Sequence, residues 1–238
     1  MLALASLNTE DFAKAVELLR DDPQRDADPS MQFAYGVALV RSGHAAEAEA
    51  TFSKLVASHA DNAEVNVVLG QAHAEQGDFD GAIESLHRAL TLKPDVAEAN
   101  AALGYIYLKQ GKLDDASTAL KAEVTTHPEN VKARYTLATV LDLDGQREEA
   151  VTELRTVLKA RPEYADARYL LGKILLANGS PGSAVEQLEI AQRLAPDDAN
   201  IHYQLAQAYQ KSGKPDLGQQ QFDLYQKLKD KRRGGSDR

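Results

Sequence analysis

The sequence predicts an all-α solenoid built from antiparallel helix hairpins, and three observations carry that prediction. Six glycines, Gly43, Gly77, Gly111, Gly145, Gly179 and Gly213, stand 34 residues apart. The alanines Ala48, Ala82, Ala116, Ala150 and Ala184 keep the same interval, and so do the prolines Pro94, Pro128, Pro162 and Pro196. Between these markers apolar residues recur at three- and four-residue steps, as in Leu103, Tyr107, Leu113, Ala116 and Leu120, which is the period of a helix with one buried face.

Each 34-residue unit reads as two helices. The glycine column supplies the left-handed backbone that ends the first helix, and the second begins within a few residues. Proline at the far end cannot continue a helix interior and restricts the residue before it, so it separates one unit from the next. A fourth column, Gly36, Gly70, Gly104 and Gly172 with Ala138 and Ala206 at the intervening steps, lies inside the first helices. Glycine there costs about 0.8–1 kcal/mol relative to alanine, so a close approach of the second helix is expected. Ala82, Ala116 and Ala150 would present the second small surface, with Leu86, Leu120, Leu154 and Leu188 filling the wider space beside it.

Six such units run from residue 29 to 232. Residues 1–28 form a partial unit and connection, in which Asp11, Phe12, Ala13, Ala15, Val16, Leu18 and Leu19 resemble a second helix lacking a complete first one. Gln219, Gln220 and Gln221 make the last helix polar, as suits a terminal repeat. Residues 233–238 are expected as a flexible tail. One hairpin buries too little apolar surface to fold alone, so neighbours must share a core.

Composition narrows the function classes. Of 238 residues, 43% are apolar and 26% charged, a balance for a folded domain. The formal charge of −9 and pI near 5.2 disfavour nucleic acid, whose binding rests on Lys and Arg neutralising phosphates. Anionic lipid is disfavoured on the same ground. There is no cysteine, hence no thiol nucleophile or thiolate metal site. The run Leu2, Ala3, Leu4, Ala5, Leu7 is too short for a signal peptide, and nothing approaches a membrane span. The chain reads as soluble, cytoplasmic, or periplasmic if a signal has been removed.

The residues that could carry chemistry have plainer roles. His44, His59, His73, His87, His127 and His202 lack the helical two-His spacing of a metal site. No phosphate loop, nucleophile elbow or dinucleotide fingerprint is present, so no catalytic residue, metal or cofactor is expected. Asn178-Gly179-Ser180 fits a glycosylation acceptor but coincides with an inter-helix turn. Lys227, Lys229, Lys231, Arg232 and Arg233 read as charges favourable at a helix C-terminus.

Leu103-Gly104, Tyr107, Ala116 and Pro128 fall at the separations of the tetratricopeptide repeat signature. Asn66, Asn100, Arg134, Arg168 and His202 occupy the column of its leading Trp, and Leu often replaces its later Phe. The chain thus resembles a degenerate, bacterial-type form of that family. The resemblance implies a right-handed superhelix, concave on the side of the first helices, that holds a protein or peptide and is not an enzyme.

On those first helices Tyr135, Tyr169 and Tyr203 recur every 34 residues, with Phe33 in the same column and Tyr105 nearby. A rigid aromatic ladder suits peptide recognition, although packing between repeats is the competing role. Arg134, Arg168 and His202 precede the tyrosines, and Lys173 and Lys211 lie close. Glu64, Glu75 and Glu98 leave the N-terminal half acidic, so a ligand with acidic groups toward the C-terminal half is expected. Val67, Ala101, Gln71 and Tyr105 stand where the Lys and Asn clamp of chaperone-tail-binding members would be sought, and no clamp is present. The other readings are a structural or self-assembling module, as a homo-oligomer or within a larger complex, and the regulatory domain of a longer enzyme.

Overall fold

The computed structural model describes residues 11–25, 28–58 and 62–235. The apolar run 2–7, His59 and residues 236–238 of the expected tail lie outside them. Among the described residues the chain is all-α. A lone helix α1 (Phe12–Arg20) precedes six hairpins: α2 (Pro29–Arg41) with α3 (Ala45–Ser58), α4 (Ala63–Glu75) with α5 (Phe79–Leu92), α6 (Ala99–Lys109) with α7 (Leu113–Thr126), α8 (Val131–Leu143) with α9 (Arg147–Ala160), α10 (Ala165–Ala177) with α11 (Pro181–Leu194), and α12 (Ala199–Lys211) with α13 (Pro215–Gly235). They group into two compact units, Met1–Pro128 and Glu129–Arg238.

The six turn glycines all adopt positive φ, between 73° and 82°. Each turn closes the same way. At Gly111 the amide donates to the Leu108 carbonyl at 3.1 Å, and the Lys112 amide reaches back to the Tyr107 carbonyl at 2.9 Å. This Schellman pair satisfies carbonyls that the helix end would leave orphaned, and its αL residue is the one a Cβ disfavours. At the opposite end of the hairpins, the residue before each proline is pushed out of the helical region. Lys93, His127, Arg161 and Ala195 have φ from −125° to −147° and ψ from 72° to 99°, as the proline ring requires of its predecessor. Asn62 and Asn130 cap the first helices α4 and α8, and Asp78, in the Gly77 turn, caps the second helix α5, each side-chain oxygen accepting from the amide three residues on at 2.9–3.1 Å.

The packing notch differs in detail from the sequence expectation. A Cβ built on Gly70, Gly104 or Gly172 would fall 2.6, 2.4 or 2.6 Å from the Cγ of Leu86, Leu120 or Leu188, and on Gly36 it would fall 2.2 Å from the Phe52 ring. The large side chain of the second helix therefore enters the notch itself and does not sit beside it. The leucine is branched and needs the whole missing Cβ volume. Phe52, Leu86, Leu120, Leu154 and Leu188 are all fully buried, as are Ala48, Ala82, Ala116, Ala150 and Ala184. In the last hairpin the roles exchange: Ala206 stands in the first helix, and Gly218 faces it, where a Cβ would lie 3.0 Å from the Ala206 carbonyl.

Within each unit a first helix also touches the next first helix (α2 with α4, α4 with α6, α8 with α10, α10 with α12), whereas successive second helices do not meet. Each unit therefore curves with its first helices on the inner side and opens gaps between second helices on the outer side. The lone α1 is tied to the first hairpin by Arg20, which reaches Glu47 at 3.4 Å, while the Tyr35 hydroxyl donates to Glu47 at 2.6 Å. At the other end α13 continues to Gly235, into the stretch expected as tail; Lys229 and Lys231 near its C-terminus suit the negative end of the helix dipole.

Candidate functional site

The three tyrosines of the 34-residue column lie on α8, α10 and α12, the adjoining first helices of the second unit. Tyr203 is 37% exposed, and Tyr135 and Tyr169 are half-buried. Each is braced. The Tyr135 ring lies 5.0 Å from that of Tyr164, and Tyr203 lies 5.2 Å from Tyr225, which in turn meets Phe222 at 5.8 Å. Burial pushes the hydroxyl pKa values of Tyr135, Tyr164 and Tyr169 up, assisted by the carboxylates of Asp166 near the first two and Asp198 near the third. These phenols stay neutral at physiological pH and present ring face together with one hydrogen-bonding group.

The basic residues of the expected site are mostly engaged within the fold. Arg134 holds Glu153 at 2.6 Å, with side chains only 14% and 23% exposed. Arg168 donates to Gln187 Oε1 at 2.6 Å and to the Pro162 carbonyl at 3.1 Å. His202 is buried, between the Gln221 amide at 2.7 Å and the Pro196 carbonyl at 2.8 Å. In each case the partner side chain is 19 residues further on, on the second helix of the same hairpin. In the first unit this column holds Gln32, Asn66 and Asn100, and the position 19 on is Thr51, Ser85 or Ala119. Each long polar group of the second unit is thus matched by a long polar partner, whereas the two asparagines face small residues. Pairing at an interval of 19 belongs to no single-helix face, which is why sequence periodicity did not find these clasps.

Lys173 bridges to Asp142 at 3.0 Å, and Asp142, itself mostly buried, also faces Arg147 at 3.8 Å. Lys211 is exposed at the end of α12, without a partner among the described residues. In the first unit Tyr105 on α6 is 50% exposed, with the Lys109 ammonium 5.2 Å from its ring centre. The acidic residues there are likewise occupied: Glu64 pairs with Lys93 at 2.9 Å and Glu98 accepts from Gln71 at 3.0 Å. Burial raises the pKa of Glu75, partly offset by Arg41. What the second unit offers on its first helices is braced aromatic surface with two exposed ammoniums, Lys132 and Lys211, that have no partner among the described residues.

The described histidines fall in different local settings: His44 contacts Ser42, His73 pairs with Asp78, His87 faces Tyr107 and His127 faces the Asp95 carbonyl. Among the described residues no helix is long and apolar enough to cross a membrane.

A tetratricopeptide repeat family model matches the chain in four overlapping segments, residues 33–97, 67–131, 101–146 and 135–199. Among solved structures the chain is similar to MamA, at 26% identity and a TM-score of 0.66 over 70% of this chain and 97% of that one. It is also similar to YrrB, described as a TPR protein with an unusual peptide-binding site, at 20% identity and 0.62 over 80% and 95%. The Cut9 and Hcn1 assembly of the APC/C gives 18% identity and 0.72 over 95% of this chain and 45% of that one. No curated protein matches in sequence.

Proposed function

The chain belongs to the tetratricopeptide repeat family, and from that premise we propose that this protein–protein interaction scaffold receives an extended protein segment along α8, α10 and α12. The observation that carries the reading is the recurrence of Tyr135, Tyr169 and Tyr203 on adjoining first helices, each braced yet partly open to solvent. Braced aromatic rings lose little side-chain entropy on binding, which is what makes tyrosine an efficient anchor. With Arg134, Arg168 and Lys173 engaged by internal partners, charge contributes less than the sequence suggested. Lys211 remains to meet an acidic group at the C-terminal end of the bound segment. YrrB supports a peptide as the kind of ligand. Catalysis plays no part in this reading.

The test is an affinity enrichment from the native organism, followed by calorimetry with the purified partner. Changing Tyr135, Tyr169 and Tyr203 together to alanine should weaken binding by at least about 2 kcal/mol, the scale of hot-spot loss, while circular dichroism confirms retained helix. Unchanged affinity in that folded variant would overturn the assignment. Lys211→Glu should cost less, about 0.5–1 kcal/mol for an exposed charge contact, and only for an acidic partner.

A further inference from the structure

Two junctions between consecutive hairpins share a feature. Tyr107 on α6 brings its hydroxyl within 3.5 Å of His87 Nε2 on the preceding α5. Tyr209 on α12 donates to Glu189 Oε1 on the preceding α11 at 2.6 Å. In both, the tyrosine follows its partner by 20 residues, and a lysine five residues later, Lys112 or Lys214, lies 5.9 Å from the ring centre. The tyrosine belongs to a 34-residue column, and so do its partner and the lysine.

At the α9 to α10 junction the same columns hold Leu175, Arg155 and Ser180. The ring, its hydroxyl and the covering ammonium are all missing there, and the partner position is a cation. A groove of about 430 Å³ opens here on the outer side, between α9 and α11, within the roughly 300–1,000 Å³ range of ligand sites. Leu158, Leu171 and Leu175 provide its apolar floor. Arg155 and Lys159, one helical turn apart on α9, provide a basic wall, and both are exposed without partners among the described residues. Glu186 on α11 is the opposing charge. Arg168, also at the groove, is held by Gln187 and the Pro162 carbonyl.

We propose that this groove is a second binding site, on the face opposite the tyrosine column, for a partner protein segment carrying an aromatic side chain next to a carboxylate. The aromatic ring takes the volume that Tyr107 and Tyr209 occupy at the sister junctions. The carboxylate pairs with Arg155 and Lys159 in the position where Glu189 serves Tyr209. Glu186 orients the segment by repelling its acidic end toward α9. Two partners could then be held at once, one on each face.

The experiment is a two-dimensional amide NMR titration of the whole chain with a pentapeptide of sequence Asp-Glu-Phe-Asp-Glu, alongside a control in which alanine replaces phenylalanine. Saturating shifts confined to the amides around Leu158, Leu171, Leu175 and Ser183 are expected, with the control about tenfold weaker. Leu175→Tyr restores the sister-junction residue and should abolish the shifts. Arg155→Glu, a surface change that leaves the core untouched, should weaken them about tenfold, the scale of one charge-assisted hydrogen bond. Equal binding of the control, shifts that survive both variants, or shifts confined to Tyr135 and Tyr169 would each overturn the proposal. Self-association seen by sedimentation and lost in Leu175→Tyr would also overturn it, making the occupant a second copy. Binding at the tyrosine column is tested separately by its triple-alanine variant, so either site can fail alone.

Discussion

The two units repeat one architecture on two different surfaces. Residues 1–128 contain twenty acidic and ten basic side chains, a formal charge of −10, whereas residues 129–238 contain sixteen and seventeen, a formal charge of +1. In the first unit the glycine notch is complete, at Gly36, Gly70 and Gly104, and the column of the family's leading Trp carries the uncharged amides Gln32, Asn66 and Asn100. In the second, alanine enters the notch at Ala138 and Ala206, and the Trp column carries Arg134, Arg168 and His202 with matched acceptors. The turns are identical. Positions that set chain geometry are held constant, and positions that only fill or cover space vary in concert with their neighbours across the hairpin.

The largest expected effect attacks the notch. Gly104→Leu would drive a side chain into Leu120, whose Cγ lies 2.4 Å from where even a Cβ would sit, and should destabilise the first unit by about 3 kcal/mol. Ala138→Gly at the equivalent place in the second unit should cost only about 1 kcal/mol through helix propensity. Urea unfolding followed by hydrogen exchange in each unit measures the contrast. Next in size, Arg134→Asn gives the second unit the residue of the first and leaves the Glu153 carboxylate without its arginine, for a loss of about 2 kcal/mol. Adding Glu153→Ala, which copies the Asn100 and Ala119 pair, should recover most of it. A double variant as unstable as the single one would show that the clasp is not a local exchange.

A pH dependence separates the units further. Tyr209 is pushed up to about 12, first by burial and then by its bond to Glu189, and Tyr135, Tyr164 and Tyr169 are shifted upward too. The first unit has two such groups, Tyr35 and Tyr107. A raised folded-state value means that the unfolded phenol ionises first. Stability is therefore intact below about pH 10, the ordinary tyrosine value, and for Tyr209 is lost as pH rises from there to about 12. The second unit should open first in alkali, and Tyr209→Phe should remove about 1–2 kcal/mol of that dependence. Hydrogen exchange across this pH range gives the order of opening.

The smallest effect is a stabilisation. Glu98, just before α6, has φ of 68°, and α6 has 11 residues where α4, α8, α10 and α12 have 13. Glu98→Gly relieves the left-handed strain and loses the exposed bond from Gln71, for a net gain of about 0.5 kcal/mol. A melting temperature that falls would show that the Gln71 bond outweighs the strain.

These contrasts mark what a linear reading can reach. The turn at Gly111 was legible because one residue type suffices for its conformation, and the notch at Gly104 because glycine inside a helix demands a reason. Which atoms enter that notch was not legible: Leu120 and Ala116 share a helix face, and only the rotation of α7 against α6 places the leucine in it. Tyr135, Tyr169 and Tyr203 were found by their spacing. The engagement of Arg134, Arg168 and Lys173 was not, since their partners lie across antiparallel or successive hairpins. Glu98 gave no signal, because side-chain identity says little about a backbone that its surroundings force.

The six identical glycine turns also govern how this chain can change length. Inserting or deleting 34 residues leaves each of these turns on a glycine and every notch opposite a large side chain. A change of 33 or 35 would shift a Cβ-bearing residue onto the turn and turn the buried column toward water. Genetic change can therefore copy or discard whole hairpins, carrying the surface of each, including any groove between its outer helices, to a new place along the chain.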